Sequence, residues 1–440
     1  MLIAKKWWGK VWPAVLAIAA LLVPSVSQAV PLYARQTGMA CEVCHFGGSF
    51  PELTETGREF KLTGYTWGKV NGLPLAGMVL AGKTSLDNTH GSADPASDFA
   101  HDKSSQLQQV SLFTGGRITD ELGAFVQWTY NGVTQHSNMD NTDIRFATAT
   151  QLGGKPLIYG ATLNNSPTVQ DLYNTTPAWR FPYAQPGGAF QGYGSSTLIE
   201  GTLAQQVAGL GAYADWNSHV YAELSAYRTA DKIFSFLRAG QDTAANTYPL
   251  SGTNPYWRLA YHSASGPSSW MVGTFGMNAA TYTNAQDSTS PVNHYYDTGV
   301  DGQYQLVEGA NDWSVQASWV HEKVNWDAST GNNASDTLDS RRIKGSYYYN
   351  HKLGGSIGLF DVSGSQDATL YSDNTSQTPN TQGYVLDFDY LPMDRLKLGV
   401  QYTGYTKFNG ASSNYDASGT LPGRNARDNN TLYVYGWLMF

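Results

Sequence analysis

The stretch Tyr384–Tyr390, which reads YVLDFDY, places bulky apolar residues on one face and both aspartates on the other. The same alternation recurs in Arg395–Thr403 (RLKLGVQYT) and in Trp313–Trp319 (WSVQASW). Helical spacing would distribute the charges around a cylinder, whereas successive side chains of a β-strand point to opposite faces. These stretches therefore predict β-strands with one apolar face and one polar face.

Segments of this kind recur from about residue 72 to the C-terminus, each about as long as a tilted membrane-spanning strand. They predict about 16 strands, beginning near residues 72, 105, 121, 142, 155, 198, 218, 255, 270, 296, 312, 340, 354, 382, 395 and 430. The connections alternate between tight turns, such as Gly153-Gly154 and Leu353-Gly354, and longer polar loops. Outer-membrane barrels place short turns on the periplasmic side, so seven short turns and eight long loops predict that both termini are periplasmic or luminal.

The composition indicates that much of the surface faces something other than water. Charged residues make up only 14% of the 440-residue chain, whereas soluble globular proteins contain about 25%. After residue 30, no stretch approaches the roughly 18 to 20 consecutive apolar residues of a membrane-spanning helix, which excludes a helical membrane protein. The formal charge of −8 and the lack of a basic stripe exclude a nucleic-acid partner.

A water-soluble β-sandwich or propeller would show a similar alternation, but its outward faces should carry more charge. The outward faces here carry Trp, Leu, Tyr and Val, and no internal repeat at propeller spacing is evident. The segment Thr431–Phe440 ends in Phe and resembles the C-terminal strand that the outer-membrane assembly machinery recognises. The sequence therefore predicts an all-β fold, a transmembrane porin-like β-barrel of antiparallel strands embedded in outer-membrane lipid.

The N-terminus has the features of an export signal. Lys5, Lys6 and Lys10 precede an apolar core over Val11–Val23, and Ser27-Gln28-Ala29 has small residues at both cleavage-defining positions. A single membrane anchor is the alternative, but the apolar core is short. We expect residues 1–29 to be a signal peptide, residues 30–71 a small separate domain, and residues 72–440 the barrel.

The segment Cys41–His45 (CEVCH) is the chemically most informative part of the chain. Its spacing lets both thiols form thioethers to one haem while the adjoining imidazole binds the iron. Two alternatives are a redox-active C-x-x-C disulfide and half of a zinc site. The first expects a thioredoxin-like βαβ context, which is not found, and the second needs two further ligands that no other cysteine can provide. The segment predicts one covalently bound haem c, so residues 30–71 are expected to form a monohaem cytochrome c domain.

The sixth ligand of the haem iron decides the reduction potential, because Met raises it and a second His lowers it. Met78 is the first candidate and is the tentative metal ligand opposite His45, with His90 and His101 as imidazole alternatives. Met39 stands too close to Cys41 to reach the opposite haem face. An ordinary packing role for Met78 remains open.

Arg58 and Lys61 are expected to bind the cofactor through the haem propionates, since a guanidinium fork suits a carboxylate. The alternative for both side chains is solvent exposure on a short helix.

The run Ala34–His45 (ARQTGMACEVCH), with Phe50–Thr54 (FPELT) and Gly57–Tyr65 (GREFKLTGY), resembles the N-terminal domain of the fused monohaem cytochrome–porins. These are the outer-membrane iron-oxidising cytochromes of iron-oxidising bacteria. The resemblance is specific over about residues 31 to 67 and rests beyond them on architecture and length. It implies haem binding by Cys41, Cys44 and His45, oxidation of extracellular Fe(II), and transfer of the electron to a periplasmic electron carrier such as a soluble cytochrome c.

One haem cannot bridge a hydrocarbon layer roughly 30 Å thick, so the small domain is expected to plug the lumen or lie near it. A barrel of about 16 strands is wide enough for that. The loop Asn165–Ser196, with Trp179, Phe181 and Tyr183, is expected to fold inward, or else to be a mobile outer loop. The outer-loop carboxylates could attract ferrous ions but are more simply solvated; they are Asp94, Asp98, Asp140 and Asp143.

Two other functions stay open at this point. The chain could be a diffusion porin with a tethered haem domain, or an electron conduit for a donor other than iron. Neither the donor nor the reduction potential follows from any single residue.

Overall fold

The computed structural model describes residues 32–48, 51–70, 72–88, 102–103, 105–187, 190, 192–238, 249–419 and 423–440. The expected signal peptide and four of the residues discussed above lie outside this part of the chain: His90, Asp94, Asp98 and His101. Among the described residues, no helix is both long enough and apolar enough to cross a membrane.

The described residues form sixteen strands: β1 Leu75–Leu86, β2 Ser105–Arg117, β3 Leu122–Asn131, β4 His136–Leu152, β5 Lys155–Asn164, β6 Val207–Trp216, β7 Val220–Thr229, β8 Asn254–Ser265, β9 Ser268–Tyr282, β10 Val292–Glu308, β11 Asn311–Asn325, β12 Ser335–Tyr349, β13 Leu353–Gly364, β14 Thr381–Met393, β15 Leu396–Lys407 and β16 Thr431–Met439. Each strand pairs antiparallel with its neighbours in sequence, and β1 pairs with β16 to close the barrel. Closure leaves no strand edge exposed. The predicted all-β barrel of 16 strands is confirmed.

The outer surface of the barrel is apolar, as the alternation predicts. On β11, Trp313 and Val315 are 51% and 47% exposed, while the intervening Ser314 is 1% exposed. Strand β14 repeats the pattern, with Phe388 exposed and Asp389 buried. Aromatic side chains on the outer surface concentrate near the ends of the strands that meet at short turns: Trp216, Tyr261, Trp270, Tyr304, Trp313, Tyr349 and Tyr390. An apolar band bordered by aromatic residues is typical of a barrel that spans a membrane.

The connections alternate in length with one exception. Seven turns of two to four residues join β2 to β3, β4 to β5, and so on to β14 and β15. On the other side, the connection of β3 and β4, residues 132–135, is also short, so the prediction of long loops throughout that side is wrong there. We call the two rims the short-turn end and the long-loop end.

Two predicted strand starts are displaced. Strand β4 begins at His136 and not near residue 142, so polar residues 136–141 already belong to it. The start expected near residue 198 is a 3₁₀ helix, Leu198–Glu200, and β6 begins at Val207. There Thr197 and Glu200 form a reciprocal capping box, which starts a helical turn in place of the strand.

A small N-terminal domain, residues 32–70 as described, precedes the barrel. It contains helices α1 Leu32–Thr37, α2 Cys41–Cys44 and α3 Glu55–Leu62, and the 3₁₀ helix Phe46–Gly48. Further 3₁₀ helices lie in the loops: Pro177–Trp179, Leu198–Glu200, Lys232–Leu237, Ala328–Thr330 and Ala426–Asn429. The Tyr33 and Tyr65 rings stack at 5.5 Å, and the Phe60 ring packs edge-on against both.

The N-terminal domain lies inside the barrel at the short-turn end. The Tyr33 hydroxyl donates a hydrogen bond to the carbonyl oxygen of Ala124 (2.9 Å), at the start of β3. The Tyr213 hydroxyl, on β6, donates to the carbonyl oxygen of Leu62 (2.8 Å). On the opposite wall, the Phe46 ring packs edge-on against Tyr348 of β12 at 5.8 Å. The domain therefore plugs the lumen by contacts around its circumference.

The long connection between β5 and β6, residues 165–206 and here called the inner loop, also folds into the lumen. Residues 164–177 are all buried. The Trp179 indole donates to the carbonyl oxygen of Val169 (2.9 Å), and Asp171 pairs with the luminal Arg258 at 3.1 Å. The expectation of an inward-folded loop is met, and the lumen holds two plugging elements.

Candidate haem-binding site

One helical turn brings the three residues of the C-x-x-C-H segment together. Cys41 and Cys44 are the first and last residues of α2, so their side chains lie on the same side of that turn. His45 follows immediately, and its backbone N–H donates to the carbonyl oxygen of Cys41 (2.8 Å). The two thiols and the imidazole are thus presented from a single short element.

The N-terminus of α3 is fixed against this segment by two contacts. The Thr54 side chain caps α3 by accepting from the Gly57 backbone N–H (3.3 Å), and its hydroxyl donates to the carbonyl oxygen of Val43 (2.5 Å). Gly57 lies so close to α2 that a Cβ atom there would overlap the carbonyl oxygen of Cys44. The sequence TETG from Thr54 to Gly57 therefore sets the distance between the two helices.

Two adjoining cavities, together called the crevice, flank Cys44 and His45. The larger has ≈ 1010 Å³ of empty space, counting its open mouth, and the smaller ≈ 510 Å³. The larger cavity lies between the N-terminal domain and the barrel wall, where Phe113, Phe125 and Met439 line it. Small-molecule and cofactor sites are typically concave, mostly apolar and about 300 to 1,000 Å³ in volume. The crevice has that character.

Both thiols have a raised pKa, which does not suit thiol–disulfide exchange. Burial raises the pKa of the Cys41 thiol to about 11, and burial also raises the pKa of Cys44. Redox-active C-x-x-C cysteines need a lowered thiol pKa, because the thiolate is the nucleophile. Burial lowers the pKa of His45 to about 4, so its imidazole is neutral, the form that ligates metals.

The donor set fits a haem c. Two thiols three residues apart and a neutral imidazole beside an apolar cavity are the residues that would hold a haem covalently and ligate its iron. In the part of the chain that the structure describes, no group of three or more His, Cys, Asp or Glu residues is placed to hold a metal ion.

Arg58 does not face the crevice, contrary to expectation. Its guanidinium donates to the side-chain oxygens of Gln305 (2.7 Å) and Ser269 (2.8 Å) on the barrel wall, and to the carbonyl oxygen of Leu53 (3.0 Å). Neither predicted alternative describes it, because the side chain is not solvated either. Arg58 joins the N-terminal domain to β9 and β10.

Lys61 borders the larger cavity, but its ammonium is bound elsewhere. It donates to the carbonyl oxygens of Val169 (2.8 Å) and Asp171 (2.6 Å) and to the Asn174 side chain (3.1 Å), and it lies 4.9 Å from the Trp179 ring centroid. These partners all belong to the inner loop, so solvent exposure is excluded. Burial lowers the pKa of Lys61 to about 7. The three hydrogen bonds of the Lys61 ammonium therefore connect the N-terminal domain to the inner loop.

Glu52 is the contact residue for which the sequence interpretation assigned no role. It is 3% exposed and forms an ion pair with Lys344 of β12. It also accepts from Gln305 (3.1 Å), from Ser314 and from the Tyr183 hydroxyl (3.2 Å). Burial alone would raise the pKa of Glu52, but the Lys344 ammonium lowers it below its usual value. A lone glutamate in the FPELT run gave no signal of this pairing.

The structure separates the predicted sixth ligand from the crevice. Met78 is buried inside the barrel on β1, but it lines a different luminal cavity and neither cavity that contacts His45. Its cross-strand partner Met439, on β16, lines both crevice cavities. The alternation Tyr433, Tyr435, Trp437, Met439 marks the inward face of β16, which is the signal that could have identified Met439.

A third cavity, the loop-side cavity, lies between the inner loop and β1–β4. It has ≈ 1030 Å³ of empty space, counting its open parts, and shares Pro51, Gln127 and Trp179 with the crevice. Polar side chains including Asp140, Asn141 and Gln205 line it. The crevice and the loop-side cavity therefore meet at one group of residues within the lumen.

The two described carboxylates expected in outer loops belong to strand β4. Asp143 is 0% exposed on β4, where it pairs with Arg145 at 2.7 Å and accepts from the Tyr65 hydroxyl at 2.7 Å. Asp140, also on β4, faces the loop-side cavity and accepts from Thr129 (2.7 Å). The longer β4 explains the difference, because it draws both residues into the barrel wall.

Comparisons with known proteins give structural likenesses only. No family model matches the chain, and no curated protein matches it. Among solved structures, the outer membrane channel DcaP of Acinetobacter baumannii is 13% identical, with a TM-score of 0.45 over 83% of this chain and 96% of that one. An anion-selective porin from Comamonas acidovorans is 13% identical, with a TM-score of 0.44 over 83% and 98%. OmpT of Vibrio cholerae is 11% identical, with a TM-score of 0.44 over 83% and 96%. The barrel assignment rests on the strand pairing described above.

Proposed function

We propose that this chain is an outer-membrane electron-transfer cytochrome that oxidises extracellular Fe(II) to Fe(III) and passes the electron to a periplasmic carrier. The proposed cofactor is one haem c held by Cys41, Cys44 and His45. A haem bound there would supply one-electron oxidation and reduction. The resemblance of residues 31 to 67 to the fused cytochrome–porins supports iron as the donor.

The observation that carries this proposal is the position of the C-x-x-C-H segment. Cys44 and His45 line an apolar cavity enclosed between the N-terminal domain and the inner wall of a membrane-type barrel. A soluble electron carrier would not need to be enclosed by a barrel wall. Enclosure in a lumen places a redox site within the thickness of the membrane, where soluble partners can approach from either end.

The two ends of the barrel suggest the direction of transfer. The N-terminal domain occupies the short-turn end, which is periplasmic in bacterial outer-membrane barrels. An electron acceptor would approach the crevice from that end. The donor would approach from the long-loop end, through the loop-side cavity that meets the crevice at Trp179 and Gln127.

The loop-side cavity supports a small soluble donor. Its side chains offer carboxylate and amide oxygens from Asp140, Asn141 and Gln205, which suit a hydrated ferrous ion. Residues 164–177 of the inner loop are buried across the lumen, so a mineral surface or a protein could not reach Trp179 directly. Extracellular Fe(II) in solution is therefore favoured over a solid donor.

A diffusion porin with a tethered haem domain is the second candidate. The closed barrel with a polar interior favours it, since that is the architecture of water-filled pores. The two plugging elements argue against it. Lys61 binds the inner loop by three hydrogen bonds and Glu52 forms a buried ion pair with the wall, so the N-terminal domain is not loosely tethered.

Anaerobic stopped-flow spectroscopy of the purified holoprotein tests the proposal. Haem absorption should change to that of the reduced form rapidly after Fe(II) is added, and a variant lacking both cysteines should show no such signal. Fe(II) chelated on beads too large for the lumen should reduce the protein far more slowly. An intact haem that free Fe(II) does not reduce, in a protein that forms open ion-conducting pores in planar bilayers, would instead support the porin.

A further inference from the structure

We infer that Met439, the penultimate residue of the chain, supplies the sixth ligand to the iron of a haem held by Cys41, Cys44 and His45. This inference rests on the haem of the proposed function and adds a barrel residue to its site. The decisive feature is the junction of the two crevice cavities, where a side chain of the last strand faces the C-x-x-C-H segment.

Met439 is held in place by strand pairing on both sides. Its backbone N–H donates to the carbonyl oxygen of Arg395 (2.8 Å), and it is the register partner of Met78 on β1. It is 6% exposed on the inward face of β16. The side chain thus projects into the lumen from a closed part of the wall, which fixes its origin although the thioether itself is flexible.

Five residues line both cavities of the crevice. They are Tyr33, Cys44, His45, Phe60 and Met439. Cys44 would be used by the covalent attachment, and the Tyr33 hydroxyl donates to Ala124. This leaves the His45 imidazole and the Met439 thioether as the side chains available to the iron. A haem held by Cys41 and Cys44 would need the space of both cavities, so residues that border both cavities would lie beside it.

The other potential ligands around the crevice are engaged or misplaced. The Lys61 ammonium has three hydrogen-bond acceptors in the inner loop, and the Tyr33 hydroxyl donates to the carbonyl oxygen of Ala124. Met39 lines only the smaller of the two cavities and stands two residues before Cys41. Met78 lines the loop-side cavity and neither part of the crevice.

A thioether ligand has a functional consequence. Methionine opposite histidine raises the reduction potential of a haem relative to a second histidine. A higher potential favours acceptance of an electron from Fe(II). Because Met439 belongs to β16, the ligand set would be completed only when the barrel has closed, which couples the redox site of the N-terminal domain to barrel assembly.

The test compares Met439→Leu, Met439→His and Met78→Leu in the purified full-length holoprotein. Met439→Leu should abolish the far-red absorption band of sulfur-ligated ferric haem and lower the reduction potential. Met439→His should remain six-coordinate without that band, at a still lower potential. Met78→Leu should leave the spectrum and potential unchanged. A retained band in Met439→Leu, or a lost band in Met78→Leu, would overturn the inference.

A second measurement avoids any change at Met439, in case the altered β16 fails to assemble. The double variant Met39→Leu/Met78→Leu is labelled with selenomethionine, and iron X-ray absorption is used to look for a selenium neighbour. A selenium atom at bonding distance supports Met439, and its absence overturns the inference. Haem staining of the denatured chain separates the two proposals: covalent haem without the selenium signal removes Met439 alone, whereas no haem in the wild-type protein removes the proposed function.

Discussion

Two faces of the N-terminal domain contact the rest of the chain in opposite ways. The anchoring face consists of Glu52, Arg58 and Lys61. Their charged groups form hydrogen bonds and an ion pair with polar groups of β9–β12 and of the inner loop. The crevice face, which includes His45, Leu53 and Phe60, leaves an apolar cavity between itself and β1–β3. Close polar pairing on one side and open apolar space on the other indicate that the first face anchors the domain, while the second leaves space that a cofactor could fill.

This contrast predicts that stability and cofactor binding can be changed separately. Changes to the anchoring face should loosen the domain while a bound haem keeps its spectrum. Changes to the crevice face should affect the haem while the barrel keeps its fold.

The largest effect is expected at the crevice face. Replacing Cys41 and Cys44 together by alanine should abolish covalent haem completely, because both thioethers are lost. The barrel should still close, since both cysteines lie in α2 of the N-terminal domain and not in a strand. Haem staining on a denaturing gel measures the first effect, and heat-modifiable gel migration measures the second. A variant that loses haem and barrel together would contradict the separation.

The next effect is expected at the anchoring face. Glu52→Gln should destabilise the docked domain by about 3–5 kcal/mol, because it leaves the buried Lys344 ammonium without its counter-charge. Urea unfolding in neutral detergent micelles, followed by Trp fluorescence, measures the loss. The exposed Glu55→Gln on α3 is the matched control and should change little. If both variants unfold at the same urea concentration as wild type, the anchoring role of Glu52 is wrong.

A smaller effect is expected where α2 and α3 touch. Gly57→Ala should push the helices apart and cost about 1–3 kcal/mol, because the added methyl overlaps the carbonyl oxygen of Cys44. The haem spectrum should shift as well, since the ligand-bearing turn moves. Gly345→Ala on β12 is the control, because a Cβ there meets nothing within 4 Å. Equal behaviour of the two variants would show that the helix contact is not tight.

The last prediction is a pH dependence of stability at Lys61. Burial lowers its pKa from 10.5 to about 7, so between these values the unfolded chain binds more protons than the native one and stability should rise with pH. The cost of the buried charge is fully present below about pH 7 and absent above the unfolded pKa. The charged groups that face Lys61 and shape this shift are Asp143, Arg145, Asp171 and Glu223.

Urea midpoints measured from pH 7 to pH 10 test this dependence. Lys61→Met should be less stable overall, since three acceptors in the inner loop lose their donor, but it should lack the part of the rise due to Lys61. The exposed Lys69→Met should keep the wild-type slope. An unchanged slope in Lys61→Met would mean that the buried ammonium is not the titrating group.

The barrel could be predicted from the sequence because its signal is local. Alternation in YVLDFDY or WSVQASW needs only neighbouring residues, and closure then follows from the cost of an open edge in lipid. Errors arose where polar residues continue into a strand, as at His136, or where a capping box starts a helical turn, as at Thr197. In both places the polarity of the neighbouring residues gives a wrong prediction of where the strand begins.

The site could be predicted only as far as the C-x-x-C-H turn. The partners of the anchoring face lie far away along the chain, since Lys61 contacts Asn174 and Glu52 contacts Lys344. Charged side chains on a short helix therefore suggested propionates or solvent, and the structure gives neither. The separation of Met78 from the crevice likewise depends on how the closed barrel surrounds the domain, which no single segment encodes.

The most direct test of the central claim is the intact mass of the exported, detergent-purified chain. We expect the mass of the wild-type protein to equal that of the processed polypeptide plus one haem. The mass of the Cys41→Ala/Cys44→Ala variant should equal that of its polypeptide alone. A wild-type mass equal to that of the polypeptide alone, after expression with an active haem-attachment system, would contradict it.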